Sequence, residues 1–63
     1  MADLPSLMTA KQLADYLQTT EAALAQDRYL GRGVPFTKIG KRVRYQREQV
    51  VKFLADNTFG GAA

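Results

Sequence analysis

The most informative part of this chain is the stretch Val34-Pro35-Phe36-Thr37-Lys38-Ile39-Gly40-Lys41-Arg42-Val43-Arg44-Tyr45. Two short runs of β-forming residues flank Gly40-Lys41, and glycine at the first central position of a two-residue loop favours a type II′ turn. The stretch therefore predicts a β-hairpin. The register that follows pairs Ile39 with Arg42, Lys38 with Val43, Thr37 with Arg44, and Phe36 with Tyr45.

The two faces of this hairpin differ in chemistry, because opposed residues share a face of a β-ribbon. The apolar face consists of Phe36, Val43, Tyr45 and the aliphatic stem of Lys38. The other face is basic near the tip and consists of Thr37, Arg42 and Arg44.

A first helix is predicted over residues 10–17. Thr9 is a good N-cap, and Gln12, three residues later, completes a capping box. Apolar residues then recur at the i, i+3, i+4 and i+7 spacing that forms one stripe on a helix. This stripe consists of Ala10, Leu13, Ala14 and Leu17.

A second helix begins after a three-residue interruption at residues 18–20. Thr20 is its predicted N-cap, and Glu21 lies in its first turn, where a carboxylate is favourable at the positive end of the helix dipole. The helix is expected to run to about Leu30 and to stop at Gly31, a C-terminal glycine signal.

The third predicted helix follows the hairpin, over about residues 47–56, with an apolar stripe of Val50, Phe53 and Leu54. The order helix, helix, hairpin, helix predicts a mostly α-helical fold with a small β-hairpin, which is a winged helix-turn-helix. The spacing of the first two helices is weak evidence alone, because many helical hairpins share it. The expected organisation is an N-terminal arm over 1–6, the winged helix-turn-helix over 7–57, and a flexible tail over 58–63.

Composition restricts the function. The 63 residues include no Cys and no His, and the six carboxylates are scattered, so we expect no enzyme, no cofactor and no metal site. Hydrophobic residues make up 46% of the chain, enough for a globular domain.

No apolar run approaches the roughly 20 residues that span a membrane, and residues 1–8 do not form a secretory signal. We therefore expect a soluble, cytoplasmic protein.

The charge distribution is more specific than the net charge of +3. The segment from Arg28 to Arg47 contains seven cations and no acid; we call it the basic segment. A solvated surface usually mixes signs, so this segment indicates a polyanionic partner, although it also suits a protein that is merely soluble. Its cations are Arg28, Arg32, Lys38, Lys41, Arg42, Arg44 and Arg47.

The second helix of a helix-turn-helix enters the DNA major groove, with its N-terminal half at the base edges. At 100° per residue, Ala23, Leu24, Asp27 and Leu30 lie on one side of this helix, and Leu24 and Leu30 are predicted to pack on the first helix. The outward face then consists of Glu21, Ala22, Ala25, Gln26 and Tyr29.

The outward face offers side chains that suit base edges. Gln26 is able to pair bidentately with adenine, Glu21 to accept from cytosine N4, and the methyl group of Ala22 or Ala25 to contact thymine. Each also has an ordinary interpretation: Glu21 as a helix-start residue and Gln26 as a solvated one. Phosphate or groove-edge contacts are predicted for Arg28, Tyr29 and the Thr20 hydroxyl.

The hairpin is expected to contact a neighbouring phosphate or the minor groove through Lys41 at its tip, Arg42 and Arg44, with Lys38 beside them. Arg44 has an alternative partner in Asp27, because an unpaired carboxylate on the inner side of the second helix would be costly. The aromatic residues are interpreted as core or half-buried, not as base-stacking platforms; these are Tyr16, Phe36, Tyr45 and Phe53.

The stretch Leu7-Met8-Thr9-Ala10-Lys11-Gln12-Leu13-Ala14-Asp15-Tyr16-Leu17, continued by residues 35–45 and 50–54, resembles the excisionase-like (AlpA/MerR-like) DNA-binding family. The family often has Arg or a bulky apolar residue at the position of Asp27, and Trp at that of Phe53. Its members are phage excisionases, also called recombination directionality factors, and small regulators of prophage genes.

This resemblance implies a protein of the bacterial cytoplasm that binds repeated duplex sites cooperatively, head to tail, bends attachment-site DNA and directs a phage integrase toward excision. An AlpA-like transcription regulator is the alternative within the same class. A different class, a protein-interaction module that docks an acidic partner through its basic face, also remains open.

Overall fold

A computed structural model describes residues 5–59 and contains three helices and a three-stranded antiparallel sheet. In chain order the elements are β1 (Leu7–Met8), α1 (Ala10–Leu17), α2 (Glu21–Tyr29), β2 (Thr37–Ile39), β3 (Arg42–Gln46) and α3 (Arg47–Asp56). The predicted order of helices and hairpin is confirmed at this level. Among the described residues no helix is long and apolar enough to cross a membrane.

The hairpin formed by β2 and β3 has the predicted register over its three strand pairs, Thr37 with Arg44, Lys38 with Val43 and Ile39 with Arg42. Gly40 has φ +63°, and Lys41 lies outside the left-handed region, as a type II′ turn requires. The expected pairing of Phe36 with Tyr45 lies before the start of β2, where the two rings are 6.5 Å apart between centroids.

The sheet has one strand that the sequence did not predict. β1 pairs with β3, placing Leu7 opposite Gln46 and Met8 opposite Tyr45, so β3 is the central strand. A two-residue strand has no periodicity to detect, which explains the omission. The carbonyl of Ser6, inside the predicted N-terminal arm, accepts a 3.0 Å hydrogen bond from the backbone N–H of Arg47 at the start of α3. Residues 1–4 and 60–63 lie outside the described part of the chain.

The N-termini of α1 and α2 have the predicted caps. The Thr9 hydroxyl accepts from the Gln12 N–H at 3.1 Å, and the Gln12 side-chain oxygen accepts from the Thr9 N–H at 2.9 Å. The Thr20 hydroxyl accepts from the Ala23 N–H at 3.0 Å. These bonds satisfy backbone donors that have no partner inside a helix. Helix α3 has no side-chain cap, and the Ser6 carbonyl serves this purpose instead.

Both α1 and α2 end with a residue in the left-handed conformation. After α2 it is Gly31, with φ +72°, and the N–H groups of Gly31 and Arg32 donate back to the carbonyls of Arg28 and Asp27. This is a Schellman motif, for which glycine is the usual residue. After α1 the same position is occupied by Gln18, with φ +58°.

The core lies between the three helices, the loop at Val34 and the inner face of the sheet. Its buried residues are Met8, Leu13, Ala14, Leu24, Val34, Tyr45 and Val50. Partly buried residues surround them: Ala10, Leu17, Val43, Phe53 and Leu54. The predicted stripes of α1 and α3 are therefore confirmed. Full burial of a side chain such as Met8, Leu13 or Val50 stabilises a fold by about 1.5–3 kcal/mol.

Several predicted burials are wrong. Leu30 is 47% exposed because it is the C-cap of α2, about 9 Å along the axis from Leu24, where the chain turns away at Gly31. Ala23, on the same predicted inner side, is also exposed. Tyr16 and Phe36 are each 44% exposed and so belong to the surface, whereas Tyr45 is buried and Phe53 is half-buried as expected.

Candidate nucleic-acid interface

The cations of the basic segment divide into two groups. Three of them make no hydrogen bond or ion pair among the described residues and are exposed; we call them the basic tip, and they are Lys38, Lys41 and Arg42. The other four are engaged in the fold or lie away from the hairpin tip: Arg28, Arg32, Arg44 and Arg47.

The basic tip is held in place by backbone geometry and not by its side chains. Arg42 is paired with Ile39 across the hairpin, and Lys41 belongs to the turn that Gly40 permits. Lys38 is on the opposite face of the ribbon, because it pairs with Val43, the next residue along β3. Positive charge therefore flanks both faces of the tip. With no carboxylate from residue 28 to 47, local neutralisation has to come from outside this segment.

Arg44 and Asp27 do not form the ion pair that was considered from the sequence. The Asp27 carboxylate instead accepts from Nε of Arg32 at 3.1 Å, and Arg44 donates from Nη1 to the Val43 carbonyl at 2.7 Å. The Asp27–Arg32 pair is close in sequence and partly exposed, so it contributes about 0–1 kcal/mol to stability. Arg44 is half-buried and retains further N–H donors on its guanidinium group.

The outward face calculated for α2 is exposed as a whole. All five of its residues are exposed, and Tyr29 reaches 86%. The side chains of Glu21, Gln26 and Tyr29 form no hydrogen bond with another described residue. Their polar groups are therefore available to a ligand. The Thr20 hydroxyl caps the helix as an acceptor and keeps its own O–H free to donate.

Arg28 has a different position from the one inferred from the sequence. Its side chain is half-buried, and its Nη1 donates a 2.6 Å hydrogen bond to the hydroxyl of Tyr45, 17 residues away on β3. The guanidinium carbon is 5.8 Å from the ring centroid of Phe36 and 6.0 Å from that of Tyr45. The predicted phosphate contact of Arg28 remains a prediction, but this contact joins α2 to the base of the hairpin.

A signal for this contact was present in the sequence. The predicted register brought two aromatic residues, Phe36 and Tyr45, to one face of the hairpin, and aromatic faces attract guanidinium groups. Several arginines were equally plausible occupants, and helical angles alone placed Arg28 close to the outward face.

Comparisons with protein-family models, curated proteins and solved structures found no match. DNA binding is therefore inferred from the chemistry and position of the residues described above.

Proposed function

We propose that this chain is a winged helix-turn-helix domain that binds double-stranded DNA, with α2 in the major groove and the β2–β3 hairpin as the wing. The observation that carries the proposal is the basic tip: three exposed cations without partners in the described chain, inside a segment that has no acid. Such a cluster of cations binds DNA favourably, because each contact between a cation and a phosphate releases counterions that are condensed on the DNA.

The face of α2 supports duplex DNA over other polyanions. Small Ala22 and Ala25 allow close approach to a groove, and Gln26 carries an amide of the type that reads adenine edges. Single-stranded nucleic acid is less favoured, because binding it requires several aromatic side chains on one exposed platform. Here Tyr45 is buried in the core, and Phe36 packs against it.

Within this proposal the chain catalyses no reaction and acts as an excisionase-type architectural protein of a bacterial cytoplasm. It would occupy repeated sites, bend the DNA and direct a phage integrase toward excision. This part depends on the sequence resemblance. The alternative role as an AlpA-like regulator of transcription uses the same interface, because both require occupancy of a short duplex site. Most of the binding free energy would come from phosphates and DNA deformation.

A direct titration tests the proposal. Fluorescence anisotropy at moderate salt compares a labelled 30-base-pair duplex, the corresponding single strand and a poly-glutamate peptide of similar charge. We expect tightest binding to the duplex. Preference for the poly-glutamate peptide would instead support a module that docks an acidic protein, and equal affinity for single strands would contradict the groove-binding arrangement. Energy transfer between the two labelled duplex ends then reports whether bound DNA bends.

A further inference from the structure

We infer that Arg28 is a positioning residue, which holds the hairpin against α2 through the hydroxyl of Tyr45 so that the basic tip and the outward face of α2 reach one duplex together. The DNA part of this inference rests on the proposed function. The mechanical part, that Arg28 and Tyr45 fix the hairpin relative to α2, concerns the free protein and stands by itself.

The connection between α2 and the hairpin is held at its middle, where Gly33 packs against Asp27 and Val34 is buried, and the basic tip lies four to eight residues beyond Val34. The connection over residues 30–36 contains Gly31 and Gly33, both with positive φ. Within α2 itself only Leu24 is buried. The part of the hairpin between Tyr45 and the tip is less well anchored. Its inner face contributes only the half-buried Val43 to the core. A specific contact between α2 and the hairpin base therefore has a strong influence on where the tip points.

The contact of Arg28 has the properties of a rigid link. The 2.6 Å bond is short for N–H···O, and hydrogen bonds with a charged donor are stronger than neutral ones. The guanidinium plane also meets two aromatic rings, Phe36 and Tyr45, which are inclined at 59° to each other. No carboxylate of the described residues pairs with Arg28, so the rings and the phenol are what hold it.

A change at Tyr45 distinguishes a positioning role of Arg28 from a direct contact between Arg28 and a DNA phosphate. Its side chain is 1% exposed, and its hydroxyl is uncharged, so it is neither accessible to DNA nor a source of counterion release. If removal of that hydroxyl weakens DNA binding, the effect has to pass through Arg28 and the placement of the hairpin. The contact also depends on the planar, delocalised guanidinium group, which donates to the phenol while it lies near two rings, whereas a phosphate accepts the point charge of lysine as well.

The experiment uses Tyr45→Phe, Arg28→Lys, Arg28→Met and the double variant Arg28→Met/Tyr45→Phe. Tyr16→Phe is the matched control, because Tyr16 lies on α1 and its hydroxyl makes no hydrogen bond among the described residues. Each variant is assayed for duplex affinity. Residual dipolar couplings of the free protein measure the orientation of β2–β3 relative to α2, and thermal unfolding confirms that each variant is folded.

We expect Tyr45→Phe to weaken duplex binding by about 3- to 10-fold, the fold-change that corresponds to one net hydrogen bond, while Tyr16→Phe has no effect. Arg28→Lys should lose about as much as Arg28→Met. In the Arg28→Met background, the further change Tyr45→Phe should cost less than twofold. Couplings in Tyr45→Phe should show a broader range of hairpin orientations, with α1 and α3 unchanged.

Full affinity in both Arg28→Lys and Tyr45→Phe would overturn the inference and leave Arg28 as a simple phosphate contact. Unchanged hairpin couplings in Tyr45→Phe would overturn its mechanical part. If the wild-type chain fails to bind any duplex, the proposed function fails, and the couplings of the free variants still decide whether Arg28 positions the hairpin.

Discussion

Gly33 lies against the side chain of Asp27 so closely that no Cβ fits between them. A Cβ built on Gly33 would be 2.9 Å from both Cβ and Oδ2 of Asp27, and the backbone of Gly33 has φ +85°. This approach brings the loop after α2 back onto the helix at the residue that also binds Arg32. The turn from α2 toward the hairpin therefore depends on the absence of a side chain at residue 33.

Gly33→Ala should consequently lower the free energy of unfolding by about 2–4 kcal/mol, combining left-handed strain with overpacking. Gly31→Ala is the matched control: its φ is +72°, but a Cβ there meets nothing within 4 Å. Gly31→Ala should lower the free energy of unfolding only by the left-handed strain, about 1–2 kcal/mol. Urea unfolding followed by circular dichroism measures both. Equal losses in the two variants would show that the contact with Asp27 is unimportant.

Gln18→Gly should stabilise the protein by about 1 kcal/mol, because Gln18 ends α1 in the left-handed conformation that glycine adopts without strain. For a chain of this size, that gain raises Tm by roughly 4–8 °C. Ala55→Gly, at an exposed position inside α3, is the control and should destabilise by about 1 kcal/mol. A lower Tm for Gln18→Gly would be inconsistent with strain at this helix end.

Duplex binding should depend steeply on salt through the basic tip. Three phosphate contacts give a slope of log K against log salt of about −2.7, and further contacts make it steeper. Lys41→Ala or Arg42→Ala should each reduce the slope by about 0.9 and weaken binding to all sequences, with the fold intact.

Lys52→Ala is the control for that experiment, because it changes the net charge equally but removes a cation of α3 that is paired with Asp56 at 3.0 Å. Its slope should remain that of the wild type. If Lys52→Ala and Lys41→Ala have equal effects, binding follows net charge, and the tip has no special role.

Gln26→Ala should relax the preference at one base pair without a large loss of general affinity. A bidentate contact from the amide to adenine corresponds to about 1–3 kcal/mol of discrimination. Competition among duplexes with every base substituted in turn measures this, and Gln49→Ala, an exposed glutamine of α3, is the matched control. Unchanged preference at all positions would remove Gln26 from the base-reading face.

The free protein should be a monomer that binds cooperatively only on DNA. The apolar stripe of α3 is occupied by the core through Val50, Phe53 and Leu54, which leaves little area for a stable dimer interface of about 1,200–2,000 Å². Titration of a multi-site duplex should be steeper than that of a single site, because a bound neighbour raises the effective concentration of the next copy. Sedimentation should show one 7.0 kDa species, and a stable dimer would contradict this expectation.

The features that could be predicted from the sequence arise from contacts between near neighbours. Thr9 and Gln12 are three residues apart and cap one turn of helix, and Gly40 alone permits the turn that sets the hairpin register. Residues so close in the chain meet whenever the local structure forms, because little conformational entropy opposes the closure. The exposure of the basic tip follows from the same local geometry.

The remaining features required segments that are distant in the chain to meet. β1 pairs with β3 across 39 positions from Leu7 to Gln46 and 37 from Met8 to Tyr45, and Arg28 reaches Tyr45 across 17. Helical angles describe which way Arg28 points but not which surface is packed beside it. The sequence suggested Arg44 as a partner of Asp27, but the loop at Gly33 brought Arg32 to Asp27 and left Arg44 bonded to its own strand. These choices depend on packing of the whole domain, because the competing partners are chemically equivalent until the backbone places one of them within reach.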